Sequence, residues 1–83
     1  MPFELFSDVI LVTDLPAEDL KAGDVGTIVE RHNGPGQKDG YSVEFFDMTG
    51  HTVAVATVAA TLLRAPTHAD RPAVRAMAAG RNE

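Results

Sequence analysis

Short apolar runs, separated by proline and glycine, organise the first 65 residues of the chain. Residues 8–13 (D-V-I-L-V-T) are β-branched and apolar, which predicts a strand. Pro16 ends this run because proline has no N–H group to donate to a neighbouring strand. Residues 24–31 (D-V-G-T-I-V-E-R) predict a second strand, and Gly26 within it predicts a bulge or a sharp bend.

The strongest local pattern predicts a β-hairpin. Residues 41–47 and 51–58 are rich in β-branched and aromatic side chains, and residues 47–50 join them with a glycine where positive φ is needed. If Phe46 pairs with His51, alternation separates two faces. The inner face contains two aromatic residues and no charge: Tyr41, Val43, Phe45, Thr52, Ala54 and Ala56. The outer face consists of Ser42, Glu44, Phe46, His51, Val53 and Val55.

Three further segments complete the prediction of an all-β domain. They are a helical turn at residues 16–20 capped by Asp14, a loop at residues 33–40, and a helical turn at residues 59–61 before a short fifth strand at residues 62–65. Leu20 is expected to return the chain to the core. Together these elements predict a small five-stranded SH3-like barrel over residues 1–65. It would be the only domain, because a chain this short forms one domain at most.

Pro66 ends the predicted barrel, which leaves residues 66–83 as a short C-terminal tail or helix. Asp70 is a typical N-cap residue and Gly80 a typical stop, so the pattern favours a short helix over residues 71–79. Val74 and Met77 would share one face of it. A helix of about ten residues is marginal alone in water, so it would be ordered only if it docked.

Composition narrows the class of protein. The chain has 83 residues, a net charge of −5 and no cysteine, which excludes disulfides and cysteine-based zinc sites. Residues 1–65 carry ten acidic and four basic side chains, and such an acidic body disfavours nucleic acid. Neither a signal peptide nor an apolar stretch of about 18 residues is present, so we expect a cytoplasmic protein that does not enter a membrane.

The sequence contains no motif typical of catalysis, cofactor binding or metal binding. The three histidines lack the spacing of metal ligands, and no serine lies in a nucleophile context. The acidic residues between positions 14 and 24 are typical of caps and turns. We therefore expect no enzyme, no catalytic residue, no cofactor and no metal. The histidines are His32, His51 and His68.

Four segments resemble a family of small bacterial proteins catalogued as a domain of unknown function. They are D-L-P at residues 14–16, L-K-A-G-D-V-G-T-I-V-E at 20–30, Y-S-V-E-F-F-D at 41–47 and G-H-T-V-A-V-A-T at 50–57. The resemblance implies an SH3-like barrel over residues 8–64 and implies no activity. Residues 20–30 also resemble the KOW segment of ribosomal and transcription proteins, which makes RNA binding a less favoured alternative in this acidic chain.

The outer face of the hairpin is the candidate binding surface. Phe46, Val53 and Val55 would form an apolar patch there, beside Glu44 and His51. One interpretation is that the protein covers the patch itself, with Phe3 and Phe6 or with the tail through Val74 and Met77. The other is a surface for a partner protein or for a second copy of the chain. An edge strand of the barrel could also accept a partner's strand.

These features favour a non-enzymatic protein-binding module. It would act as an accessory subunit, or as an antitoxin-like or immunity-like partner of a larger protein. An alternative is a small subunit or maturation factor of a metalloenzyme, which rests on fold analogy.

Overall fold

Antiparallel β-strands form the sheet that dominates residues 3–33 and 39–76, the part of the chain that the computed structural model describes. The strands lie in the order β4-β3-β2-β1-β5. They curl into a half-barrel, which is compatible with the predicted SH3-like barrel. Their bounds are β1 Asp8–Leu11, β2 Val25–His32, β3 Gly40–Phe46, β4 Thr52–Ala59 and β5 Leu63–Arg64.

The core lies inside the curl and takes one alternating face of each long strand. Phe3 packs edge-on against Tyr41, with ring centroids 5.4 Å apart. Leu20 is buried as predicted. Full burial of a leucine, isoleucine, valine or phenylalanine side chain stabilises a fold by about 1.5–3 kcal/mol. The core residues are Phe3, Val9, Leu11, Leu20, Ile28, Tyr41, Val43, Phe45, Ala56, Val58 and Leu63.

The hairpin register differs from the predicted one by two residues. The loop is one residue longer than predicted, so Phe46 pairs with Thr52 rather than His51. A bulge then places Phe45 opposite Ala54. The longer loop and the bulge each shift the pairing by one residue. Because the total shift is two residues, each side chain stays on the face predicted for it. Thr52 is the exception, because it lies before the bulge and is exposed.

The irregularity in β2 lies between Ile28 and Glu30, not at Gly26. Gly26 is required for a different reason. A Cβ atom there would lie 2.5 Å from Val43 Cγ1 and 3.0 Å from the Glu44 carbonyl oxygen. Glycine therefore allows β3 to approach β2 closely at the centre of the sheet.

Two 3₁₀ turns connect the strands. The first, Pro16–Glu18, has no side-chain cap, so the predicted capping role of Asp14 is wrong. Asp14 instead accepts a hydrogen bond at 2.9 Å from the Ala22 N–H group. The second turn, Ala60–Leu62, leads into β5. Of the predicted loop at residues 33–40, positions 34–38 lie outside the described residues.

The tail lies back along the sheet without forming the predicted helix. Residues 71–76 have no helical structure, and residues 77–79 of the predicted helix lie outside the described part of the chain. Asp70 does not cap a helix, because its carboxylate accepts hydrogen bonds from Arg64 and from the Thr67 N–H group. Within residues 3–33 and 39–76, no helix is long and apolar enough to span a membrane.

Candidate functional site

A groove of about 610 Å³ lies between the sheet and the C-terminal tail. Residues from all five strands line one side, and tail residues between Pro66 and Arg75 line the other. Five apolar side chains on the sheet side form what we call the apolar wall: Ile10, Val25, Phe46, Met48 and Val53.

Strand pairing brings the exposed members of the apolar wall together. Gly26 pairs with Phe45, so the residues that flank this pair, Val25 and Phe46, lie side by side on the outer face. The bulge in β4 places Val53 beside them, and Met48 projects from the hairpin loop. Their exposed fractions are 52% for Val25, 43% for Phe46, 81% for Met48 and 45% for Val53.

Ile10 forms the covered end of the apolar wall. It alternates with the core residues Val9 and Leu11, so it points to the outer face, yet it is buried. Its strand neighbours are Val25 and Arg64. The tail lines the same groove, and among the five members of the apolar wall only Ile10 is buried. This cover does not extend over the predicted patch, since Phe46, Val53 and Val55 are exposed.

The aromatic residues proposed to cover the patch do not do so. Phe3 lies in the core, and Phe6 is 73% exposed and does not line the groove. Val74 lines the groove but is itself largely exposed, and Met77 lies outside the described residues. Most of the apolar wall therefore stays open to solvent in the described part of the chain.

In the described part of the tail, two ion pairs hold it against the sheet. Arg75 donates to both carboxylate oxygens of Asp24, at 3.1 and 2.5 Å, and also to the Asp19 carbonyl oxygen at 3.3 Å. Arg64 donates to both oxygens of Asp70, at 2.9 and 2.7 Å. Both carboxylates are thereby held in a fork-like geometry that arginine favours.

These contacts shift the acidity of both carboxyl groups. Burial alone raises the pKa of Asp24, but hydrogen bonds from Arg75 and from the Lys21 N–H group outweigh burial, and the pKa lies below its ordinary value. The Arg64 guanidinium and the Thr67 N–H group hold the pKa of Asp70 well below its usual range. Both groups are therefore negatively charged at neutral pH.

The charged residues that line the groove, which we call its rim, are mostly acidic. Among the described residues, six carboxylates and three arginines line the groove, and two of the arginines are paired with Asp24 and Asp70. The excess negative charge favours a ligand that places lysine or arginine at the rim. The lining carboxylates are Asp8, Glu18, Asp19, Asp24, Asp47 and Asp70.

The structure separates the five residues predicted to bind a partner. Phe46 and Val53 line the groove. Val55 is 57% exposed and pairs with Glu44, so both lie on the same outer face but beyond the groove. Glu44 accepts a hydrogen bond at 2.5 Å from the Thr52 hydroxyl.

His51, the fifth predicted residue, belongs to the hairpin loop. Its Nδ1 atom lies 3.7 Å from Asp47 Oδ2 and 2.8 Å from Thr49 Oγ1. Asp47 also accepts hydrogen bonds from the N–H groups of His51 and Thr49, and these contacts lower its pKa. Gly50 completes the loop with φ of 91°, as the sequence predicts. His51 therefore orders the loop and does not contact the groove.

Sequence reasoning missed three members of the apolar wall. The sequence places Val25 in a strand, but it does not show which side chain lies beside Val25 on the outer face. Val25 and Ile28 are three positions apart in the same strand, so their side chains lie on opposite faces. Because apolar Ile28 is expected in the core, this spacing is the signal that places Val25 on the outer face. Met48, an apolar residue in a polar loop, was a weaker signal. Ile10 gave no signal, because it lies within a uniformly apolar run.

The described residues contain no group of three or more histidine, aspartate or glutamate side chains placed to hold a metal ion. His32 Nε2 lies 2.8 Å from Ser42 Oγ and 3.9 Å from Glu30 Oε1 on the sheet surface. In the described part of the chain a serine and a histidine therefore meet, but the Glu30 carboxylate lies beyond hydrogen-bond distance of the histidine, unlike the arrangement in a catalytic triad.

Comparison with curated proteins and with solved structures finds no match. Comparison with protein families finds one: residues 5–65 match a family described as Domain of unknown function (DUF4926). The match includes all five strands and ends immediately before Pro66, so it contains the sheet side of the groove and excludes the tail side. Since the match extends over more than half of the chain, the protein belongs to the DUF4926 family.

Proposed function

We propose that the protein is a non-enzymatic, cytoplasmic protein-binding module whose groove binds an apolar segment flanked by lysine or arginine in a larger partner protein. The observation that carries this proposal is the juxtaposition of an apolar wall with an acidic rim. Isolated apolar side chains on a surface need no explanation, but a contiguous group beside a groove is typical of a binding site.

The chemistry of the groove defines the partner. The strands hold an apolar surface formed by Val25, Phe46 and Val53. An aliphatic or aromatic side chain of the partner that packs there would remove both its own apolar surface and that of the groove from water. The carboxylates at the rim would attract a basic partner and orient it before contact. Masking of a basic surface on a larger protein is the role expected of an accessory, antitoxin-like or immunity-like partner.

The test begins with identification of the partner and ends with purified proteins. The tagged protein is used for affinity purification from its native host, and the co-purifying protein is then produced separately. Binding is measured by calorimetry for the wild type, Phe46→Glu and Val53→Glu. We expect each substitution to weaken binding at least about tenfold, which corresponds to about 1.4 kcal/mol.

Val12→Glu is the matched control. Val12 is 44% exposed, similar to Phe46, but does not line the groove. Circular dichroism must show that all three variants fold. Wild-type affinity in both groove variants would overturn the proposed surface, and so would an equal loss in Val12→Glu. A stoichiometric metal-containing enzyme as the captured protein would favour the metalloenzyme alternative.

A further inference from the structure

The two edges of the sheet differ in how they are protected. β5 has two residues and is followed closely by Pro66, so it offers little backbone to another strand. β4 has eight residues, with no proline and no charged side chain. Natural edge strands usually carry a charge, a proline or a short length that prevents further pairing. β4 has a bulge near one end but none of these three features.

The free edge of β4 presents backbone groups at alternate residues. The Ala60 N–H group donates to the Asp39 carbonyl at 3.1 Å, which makes the adjacent pair, Gly40 and Ala59, a non-hydrogen-bonded pair. Alternation then directs the N–H and C=O groups of Val55 and Thr57 away from β3. Among the described residues, no backbone hydrogen bond outside the sheet uses these groups.

We propose that β4 pairs antiparallel with β4 of a second copy of this chain, across a two-fold axis at Val55. This pairing places Val55 opposite Val55 of the second copy, and Val53 of each copy opposite Thr57 of the other. β-Branched side chains therefore meet on the outer face. It places Ala54 opposite Ala56 on the inner face. The two half-barrels then share one continuous sheet of ten strands.

Charge and symmetry favour a second copy over another occupant. Each copy carries a net charge of −5, which disfavours most contacts between copies, but the β4 seam brings no like charges together. The side-chain pattern around Val55 is nearly symmetric, as a two-fold interface requires. A basic partner segment, which suits the acidic groove, gains no complementary charge at this edge.

Analytical ultracentrifugation of the purified full chain tests the proposal. We expect the wild type to sediment with twice the 8.8 kDa mass of one chain as concentration rises. Val55→Lys and Val55→Glu should each sediment as monomers, because like charges then meet at the two-fold axis. An equimolar mixture of the two variants should restore the dimer, because opposite charges then meet there.

Val12→Lys is the control for adding a charge to an exposed valine elsewhere, and it should remain dimeric. Val53 belongs to both surfaces, but Val55 does not line the groove and Phe46 lies outside β4, so variants at Val55 and Phe46 distinguish failure of this proposal from failure of the proposed function. A wild type that is monomeric at every concentration would overturn the pairing. So would dimers that persist in both Val55 variants, or a mixture that stays monomeric. Dissociation by Phe46→Glu with dimers retained in Val55→Lys would also overturn it, by placing the contact at the groove.

Discussion

Arg75 Nη2 lies 2.5 Å from Asp24 Oδ2, although 51 positions separate the two residues in the chain. Asp24 ends the loop before β2, and Arg75 lies near the end of the described tail. This contact, together with the Arg64–Asp70 pair, turns the tail from an extension beyond the barrel into one side of the groove.

Arg75→Ala should release the tail from the sheet without unfolding the sheet. A partly exposed ion pair contributes up to about 1 kcal/mol, so the population of the open tail should rise up to about fivefold. Heteronuclear NOE values at the amides of Ala73 and Val74 measure the release. Arg71→Ala is the matched control, because Arg71 donates to backbone carbonyls of the tail itself. Equal NOE values in the two variants would contradict the role of Arg75.

The attachment of the tail should weaken in acid. The pKa values of Asp24 and Asp70 in the folded protein lie below their ordinary value of 3.8. A depressed pKa means that each ionised group adds stability above about pH 4, and that this stability is lost as the pH falls through the folded-state pKa. The NOE values of the tail should therefore fall below about pH 4 while the sheet amides remain ordered. Loss of tail and sheet signals at one common pH would contradict this.

Gly26→Ala should destabilise the fold. The new Cβ atom would meet Val43 Cγ1 and the Glu44 carbonyl oxygen, and backbone cannot move aside cheaply at the centre of a sheet. We expect a loss of about 1–3 kcal/mol in the free energy of unfolding, measured by urea denaturation. Gly40→Ala is the control. Its Cβ atom would lie 3.5 Å from the nearest atom, the Val58 carbonyl oxygen, so the change should stay within about 1 kcal/mol. Similar losses for both would show that lost glycine flexibility, not crowding, controls the result.

Tyr41→Phe should leave stability unchanged or raise it by about 1 kcal/mol. Tyr41 is fully buried, and its hydroxyl has no hydrogen-bond partner among the described residues. A buried unpaired polar group costs about 1–3 kcal/mol, while the ring contact with Phe3 is kept in the variant. Urea denaturation measures the difference. A loss greater than about 1 kcal/mol would show that the hydroxyl does have a partner.

Local pattern was sufficient for the strands and for the two faces of the hairpin. Residues such as Val43 and Phe45 alternate with Ser42 and Glu44, and a period of two has only one buried side. The exact register was not accessible, because it depended on a longer loop and on a bulge at Val53. The predicted faces are correct only because the longer loop and the bulge together shift the pairing by two residues, which is an even number.

The sequence by itself therefore determined the all-β class, the hairpin with Gly50 in its loop, and an outer position for Phe46, Val53 and Val55. Only the tertiary structure decided which of these residues lie together in a groove. Val25 lies beside Phe46 through the pairing of β2 with β3, and the tail is attached to the sheet through Arg75 and Asp24. Such long-range contacts depend on the packing of the whole chain, so neither helix periodicity nor turn residues in the tail could predict them.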